Sequence, residues 1–305
     1  MNFFVERAFL LLALCAAVLL SGCATSSDGA RAGSTSESRI IEAIKGKQTV
    51  LFGEVHDNDV LHQKRLQHVS AAIAAGARPA FVFEQFDREQ QSAIDAARLE
   101  RPRDAEYLIA KGSPGKSSWN WAFYRPLIQL ALDNDLPIIA ANLSRRDAMK
   151  VAQSDFANSG AFSAAELKAL RLDQPIPQNV TAVQSQEIVD GHCNLLPAES
   201  VPAMANAQLA RDAVIANVLA PFADRGVMLF AGNGHARKDI GVGAWLPTTT
   251  MVLTVGMLES ASPTAETVQS DERFDVIEYA AAAPRDDPCV ALKARFMSSP
   301  APSKP

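Results

Sequence analysis

Six short apolar runs, alternating with segments of helical spacing, set the fold class of this chain. They are Thr49–Gly53, Ala80–Glu84, Pro137–Ala141, Val227–Ala231, Thr250–Val255 and Asp275–Tyr279. Most carry apolar side chains at consecutive positions, so neither face of such a strand can meet water. Between the first two runs, Val60, Leu61, Leu66, Val69 and Ile73 follow a helical period. Asp87 is expected to cap a helix over "REQQSAIDAARL", Ser144 to cap another, and Val201–Leu219 to form a long one. The pattern predicts an α/β fold: a mostly parallel sheet flanked by helices on both faces. The region from Asp155 to Ser200 is less regular and is expected to be a helical insertion or cap.

The N-terminus is not expected to join that fold. Arg7 precedes an apolar stretch, Ala8–Leu20, too short to span a bilayer and suited to a signal peptide. It ends in Leu20-Ser21-Gly22-Cys23, which resembles the bacterial lipobox and makes Cys23 the lipidated residue of the mature chain. Ala24, rather than Asp, follows that cysteine. By analogy with such lipoproteins, this favours the outer membrane. The reading divides the chain into a signal peptide (1–22), a flexible tether (23–38), one α/β domain (39–296) and a disordered tail (297–305). Cys193 and Cys289 remain in an oxidising compartment and are expected to form a disulfide. That pairing leaves Cys193 beside His192 an improbable nucleophile. A net charge of −5 without a basic stripe argues against nucleic acid as a partner.

Polar residues at the strand ends point to a site. The first strand hands over to Glu54-Val55-His56, and the second ends in Glu84. The third ends in Asn142, and the fourth in Gly232-Asn233-Gly234-His235. Parallel strands put their carboxyl ends on one edge of a sheet, and open α/β sheets bind ligands there. Two carboxylates, two imidazoles and an amide are therefore expected to converge. A strand-end Glu is often only a cap or an ion-pair partner, and a single His is more often structural than a ligand. The coincidence at four strand ends carries the expectation. His62 could face the site, whereas His68 is expected at the surface. On the long helix, Arg211 is expected either to pair with a site carboxylate or to lie at the surface.

Taken in order, "LFGEVHDN", "FVFEQF", "WNWAFYRPLIQLA", "LPIIAANLSRR", "GHCNLLP", "AQLARDAVIANVL" and "LFAGNGHARKDIGVGAWL" resemble the ChaN-like haem-binding uptake family. Its members are often lipoproteins. They are related to Tiki proteases, TraB and erythromycin-esterase-like proteins. The resemblance runs from about Thr49 to Leu246.

It implies haem as ligand, bound as a cofacial pair between two subunits in iron acquisition, and an outer-membrane haem receptor as a further partner. It also points to a tyrosine as axial ligand. This chain has three: Tyr107, Tyr124 and Tyr279. Tyr124 is the choice, because Trp119, Trp121 and Phe123 could stack on a porphyrin and Arg125 could meet a propionate. The alternative is that these aromatics pack in the core. His56, His235, Glu54, Glu84 and Asn142 complete the expected haem-site residues.

A second reading uses the same cluster differently. His56, His235, Glu54 and Glu84 are a sensible ligand set for zinc or manganese, with Glu54 or Glu84 as general base of a metal-dependent hydrolase. A third reading is a non-catalytic envelope scaffold. Haem binding by an outer-membrane lipoprotein is the expectation carried forward.

Overall fold

In the computed structural model the described residues are 35–115, 118–261 and 271–298. The signal peptide, Cys23 and residues 299–305 lie outside them. All six expected strands form: β1 (Thr49–Phe52), β2 (Ala80–Asp87), β3 (Ile138–Asn142), β4 (Val227–Phe230), β5 (Val252–Glu259) and β6 (Val276–Ala280). They make one parallel sheet in the order β3-β2-β4-β1-β5-β6. The helices are α1 (Ser36–Lys45), α2 (Asp59–Ala74), α3 (Gln91–Glu100), α4 (Ala105–Gly112), α5 (Trp121–Asp133) and α6 (Arg145–Gln153), followed by α7 (Ala164–Ala169), α8 (Gln178–Gly191), α9 (Val201–Leu219), α10 (Asn233–Ala236) and α11 (Pro288–Ser298). None of them is long and apolar enough to cross a membrane.

Alternation along each strand builds two cores. Val50, Phe52, Phe81, Phe83, Met228 and Phe230 face one layer, packed on α1, α2 and α5. Leu51, Val82, Leu229 and Ala231 face the other, against Ile215, Ala216 and Leu219 of α9. A parallel strand has to be re-entered through a crossover, and crossovers are right-handed, so connections that run in opposite directions across the sheet lie on opposite faces. From β1 the chain goes one way to β2, beyond β4. From β4 it goes the other way to β5, beyond β1. The chain therefore leaves the two central strands toward opposite faces, although their backbones stay paired as far as Asn233 N–H and the Glu54 carbonyl, at 3.2 Å.

Local chemistry sets the element ends. Asn58 caps α2 by accepting from the Leu61 amide at 3.1 Å, and Ser144 caps α6 through the Asp147 amide. Strand β2 runs further than expected. Phe83 pairs with Ala140 and Asp87 with Asn142, so the stretch from 83 to 87 is longer than its partner and bulges. Asp87 is thus the end of a strand, and its side chain makes no capping bond to the short 3₁₀ turn after it. The bulge re-aims Glu84 and Gln85, both buried.

The irregular middle region supplies α7, started by a Ser163/Glu166 capping box, and α8. Val180 of α8 packs with Leu209 of α9, and Ile188 with Ala205. Cys193, just past α8, is bonded to Cys289 of α11 with Cα atoms 5.7 Å apart. Two expected boundaries shift. Helix α1 begins at Ser36, inside the expected tether, because Ile40, Ala43 and Ile44 bury its inner face. Helix α11 reaches Ser298, inside the expected tail.

Candidate functional site

A cavity of about 980 Å³ opens at the carboxyl edge of the sheet. Its walls include Glu54, His56, Glu84, Asn142 and His235, so the residues expected from the strand ends do face one space. Two histidine-centred groups meet there.

The first is built on β1 and α2. His56 Nδ1 lies 2.7 Å from Glu54 Oε1. The same oxygen accepts from the Tyr124 hydroxyl at 2.5 Å and from Gln85 Nε2 at 3.3 Å. The other carboxylate oxygen accepts from Arg65, which is wholly buried. Burial alone would raise the Glu54 carboxyl. The Arg65 guanidinium, together with the hydrogen bond and charge of His56, overcomes it and holds the group well below the usual range. A guanidinium only donates, so His62 Nδ1 accepts from Arg65 Nη2 at 2.8 Å, and its Nε2 donates to the His56 carbonyl at 3.1 Å. Burial and the Arg65 charge push His62 down to about 4 and keep it neutral. His56 itself is 49% exposed at its side chain and is edge-on to Trp119. Burial lowers its pKa, but the hydrogen bond and charge of Glu54 prevail and raise it.

The second group is His235 on α10. Its Nδ1 lies 2.6 Å from Asp212 Oδ1 and its Nε2 3.6 Å from Glu84 Oε1. Burial opposes the imidazolium, yet the two carboxylates push its pKa up to about 9. Glu84 also accepts from the Gly232 amide at 2.8 Å. The glycines of this segment have separate tasks. A Cβ on Gly232 would sit 3.2 Å from His56 Cε1 and 3.3 Å from Nε2, crowding the imidazole. A Cβ on Gly53 would collide with Asn233, whose side chain bridges to both backbone groups of Met257.

Several expected residues stand elsewhere. Tyr124 is 0% exposed and lies behind Glu54 rather than on the cavity wall. Its phenol is pushed far up, first by burial and then by the Glu54 charge, which holds it as the neutral donor and not as tyrosinate. None of the three tyrosines lines the cavity. Arg125 is paired with Glu106 at 3.2 Å, away from the cavity. Asn142 accepts from Arg211 at 2.6 Å, so Arg211 pairs with an amide and with the Leu143 carbonyl rather than with a site carboxylate. His68, expected at the surface, is buried 3.5 Å from Glu278 of β6.

Arg65, His62 and Asp212 belong to the site and were not assigned to it from sequence. A signal existed for Arg65, which sits one helical turn from both Leu61 and Val69 on the buried stripe of α2. Asp212 lies likewise between Leu209 and Ala216 on the buried face of α9.

The donor set is one of imidazoles already tied to carboxylates. Among the described residues, no three of His, Cys, Asp or Glu gather as ligands for a metal ion. Of His56 and His235, only His56 keeps a ring nitrogen clear of a carboxylate, since His235 has one at each nitrogen.

The family model described as "Haem-binding uptake, Tiki superfamily, ChaN" matches residues 40–246. A solved structure of cofacial heme binding to ChaN of Campylobacter jejuni superposes with a TM-score of 0.61. It is 19% identical, over 79% of this chain and 90% of that one. The type III effector HopBA1 gives a weaker likeness, with a TM-score of 0.45 and 10% identity over 82% of this chain and 95% of that one. No curated protein matches by sequence.

Proposed function

The chain belongs to the ChaN haem-binding uptake family of the Tiki superfamily, and we propose that it binds haem in the cavity at the carboxyl edge of the sheet. The observation that carries this reading is His56. A metal-binding histidine characteristically donates its second ring N–H to a carboxylate, which fixes the tautomer and strengthens the free nitrogen as a ligand. His56 has that arrangement through Glu54, and Gly232 leaves room beside its Nε2. Haem would supply a planar apolar surface and an iron with axial positions. His56 Nε2 would hold the iron in place of the tyrosine that the family resemblance suggested. Trp119 and Met149 offer apolar contact, and the cavity is at the upper end of the size usual for small-molecule sites.

The finer assignments are part of the proposal. The Leu20–Cys23 lipobox supports an outer-membrane lipoprotein whose task is haem or iron uptake, supplied by an outer-membrane haem receptor. Cofacial haem binding in the Campylobacter protein suggests a haem-dependent homodimer here. Haemin titration of the full chain tests the core of the reading. A saturable, shifted Soret band is expected. Absorbance that grows without saturation, as for free haemin, would refute it.

One observation favours a second reading. His235, held charged between Asp212 and Glu84, is a proton store that haem binding alone does not require. It suits a general acid in a hydrolase of the protease or esterase type, with Glu84 beside it. Hydrolysis of ester and peptide substrates that disappears in His235→Gln would support this. No turnover by the wild-type chain, with or without added zinc or manganese, would dismiss it.

A further inference from the structure

One wall of the cavity, from α6 and α9, is apolar. On α6, Ala148, Met149 and Ala152 line it at helical spacing, and on α9 Met204 and Ala207 do the same. These are small or soft apolar groups, and Met149 leaves 48% of itself exposed. The stripes end in guanidiniums at the same place. Arg145 opens α6 three residues beyond Asn142, and Arg211 donates to the Asn142 amide oxygen and to the Leu143 carbonyl.

Neither cation has a carboxylate in ion-pair contact among the described residues. Arg145 makes no side-chain hydrogen bond or ion pair there at all, and Arg211 is held only by neutral oxygens. An unpartnered guanidinium at Arg145, beside one at Arg211 that bonds only neutral oxygens although Asp87 and Asp212 lie within its field, at the end of an apolar wall complements an amphipathic molecule with a carboxylate on one edge.

We infer that the end of β3 is a carboxylate-recognition edge, in which Arg145 and Arg211 select ligands that carry a free carboxylate beside a flat apolar body. This rests on the haem reading for the identity of that body and assigns the propionates to Arg145 and Arg211 rather than to Arg125. Arg211 is already oriented by Asn142, so Arg145 is the adjustable partner. Its planar fork fits a carboxylate with two hydrogen bonds, which Lys cannot reproduce.

The test titrates the full chain with haemin, haemin dimethyl ester and iron-free protoporphyrin IX. The proteins are the wild type, Arg145→Gln, Arg145→Lys and, as a control away from the cavity, Arg125→Gln. Haemin is expected to bind Arg145→Gln about tenfold more weakly than the wild type, the loss usual for a charge-assisted hydrogen bond in a half-wet site. The dimethyl ester should bind wild type and Arg145→Gln equally and weakly. Arg145→Lys should recover only part of the loss, Arg125→Gln should match the wild type, and protoporphyrin IX should show the same dependence on Arg145. The ester comparison on the wild-type chain needs no folded variant. Haemin and its ester binding alike, or haemin binding Arg145→Gln as it binds the wild type, overturns this edge and leaves the haem reading standing. Failure of the wild type to bind either haemin or protoporphyrin IX overturns both.

Discussion

Tyr124 gives its hydroxyl, at 2.5 Å, to the Glu54 oxygen that His56 Nδ1 contacts at 2.7 Å. Residues from β1's end and from α5 thus converge on one buried carboxylate, and Tyr124 acts on the cavity only through Glu54. Replacing it by Phe removes one donor and leaves Gln85 and His56 on the same oxygen. Tyr124→Phe is expected to cost about 1–3 kcal/mol of stability, the usual range for a buried acceptor losing a partner. Urea denaturation measures it, and a cost near zero would mean that the hydroxyl does not hold Glu54.

The charge of the wholly buried Arg65 is compensated by Glu54, itself nearly buried at the cavity wall. Breaking one side of such a pair strands the other. Arg65→Met is expected to lose about 3–5 kcal/mol, while Arg65→Met combined with Glu54→Gln should recover much of it. Losses that simply add in the double variant would contradict the pairing.

The elevated pKa of His235 sets a pH window. Its folded value, about 9, exceeds the ordinary 6.5, so the stability it contributes is complete below 6.5 and is lost as pH rises through 9. Asp212→Asn should return the imidazole toward 6.5 and flatten that fall. NMR titration of the ring protons, alongside melting curves from about pH 6 to 10, reads both. A His235 that still titrates near 9 in Asp212→Asn would place the cause elsewhere.

Gly232 keeps the space beside His56 Nε2 free. Its backbone is ordinary, at φ −57° and ψ 151°, so Ala is tolerated by the chain and resisted only by the imidazole. Gly232→Ala is expected to weaken haemin binding by about tenfold or more while costing less than about 1 kcal/mol of stability. Unchanged affinity would mean that the ligand does not use this approach to His56.

The strand ends were legible because apolar runs that stop at Glu54, Glu84, Asn142 and Gly232 announce their own polarity. The sheet's faces emerged from the same runs. The strand order did not, since no local signal tells β4 to insert between β1 and β2. Polar residues on buried helical faces were the other gap. Arg65, His62 and Asp212 read as interruptions of an apolar stripe until their partners, distant in sequence, are brought against them. Tyr124 shows the converse. Its aromatic surroundings fit stacking on a ligand as well as core packing, and the fold buries the ring in the core with its hydroxyl on Glu54. His68 was misplaced for a related reason, as Glu278 reaches it from β6. The bulge that turns Glu84 and Gln85 inward depends on pairing with β3 and has no mark in "FVFEQF" itself.

On the proposed reading haem meets this chain at His56, in the cavity at the carboxyl edge of the sheet. Parallel haemin titrations of the wild type, His56→Ala and Tyr124→Phe, monitored through the Soret band, test it most directly. A saturable shifted band in the wild type, retained in Tyr124→Phe and lost or displaced in His56→Ala, is the predicted result. An unchanged band in His56→Ala, or its loss in Tyr124→Phe with the fold intact, would contradict the account.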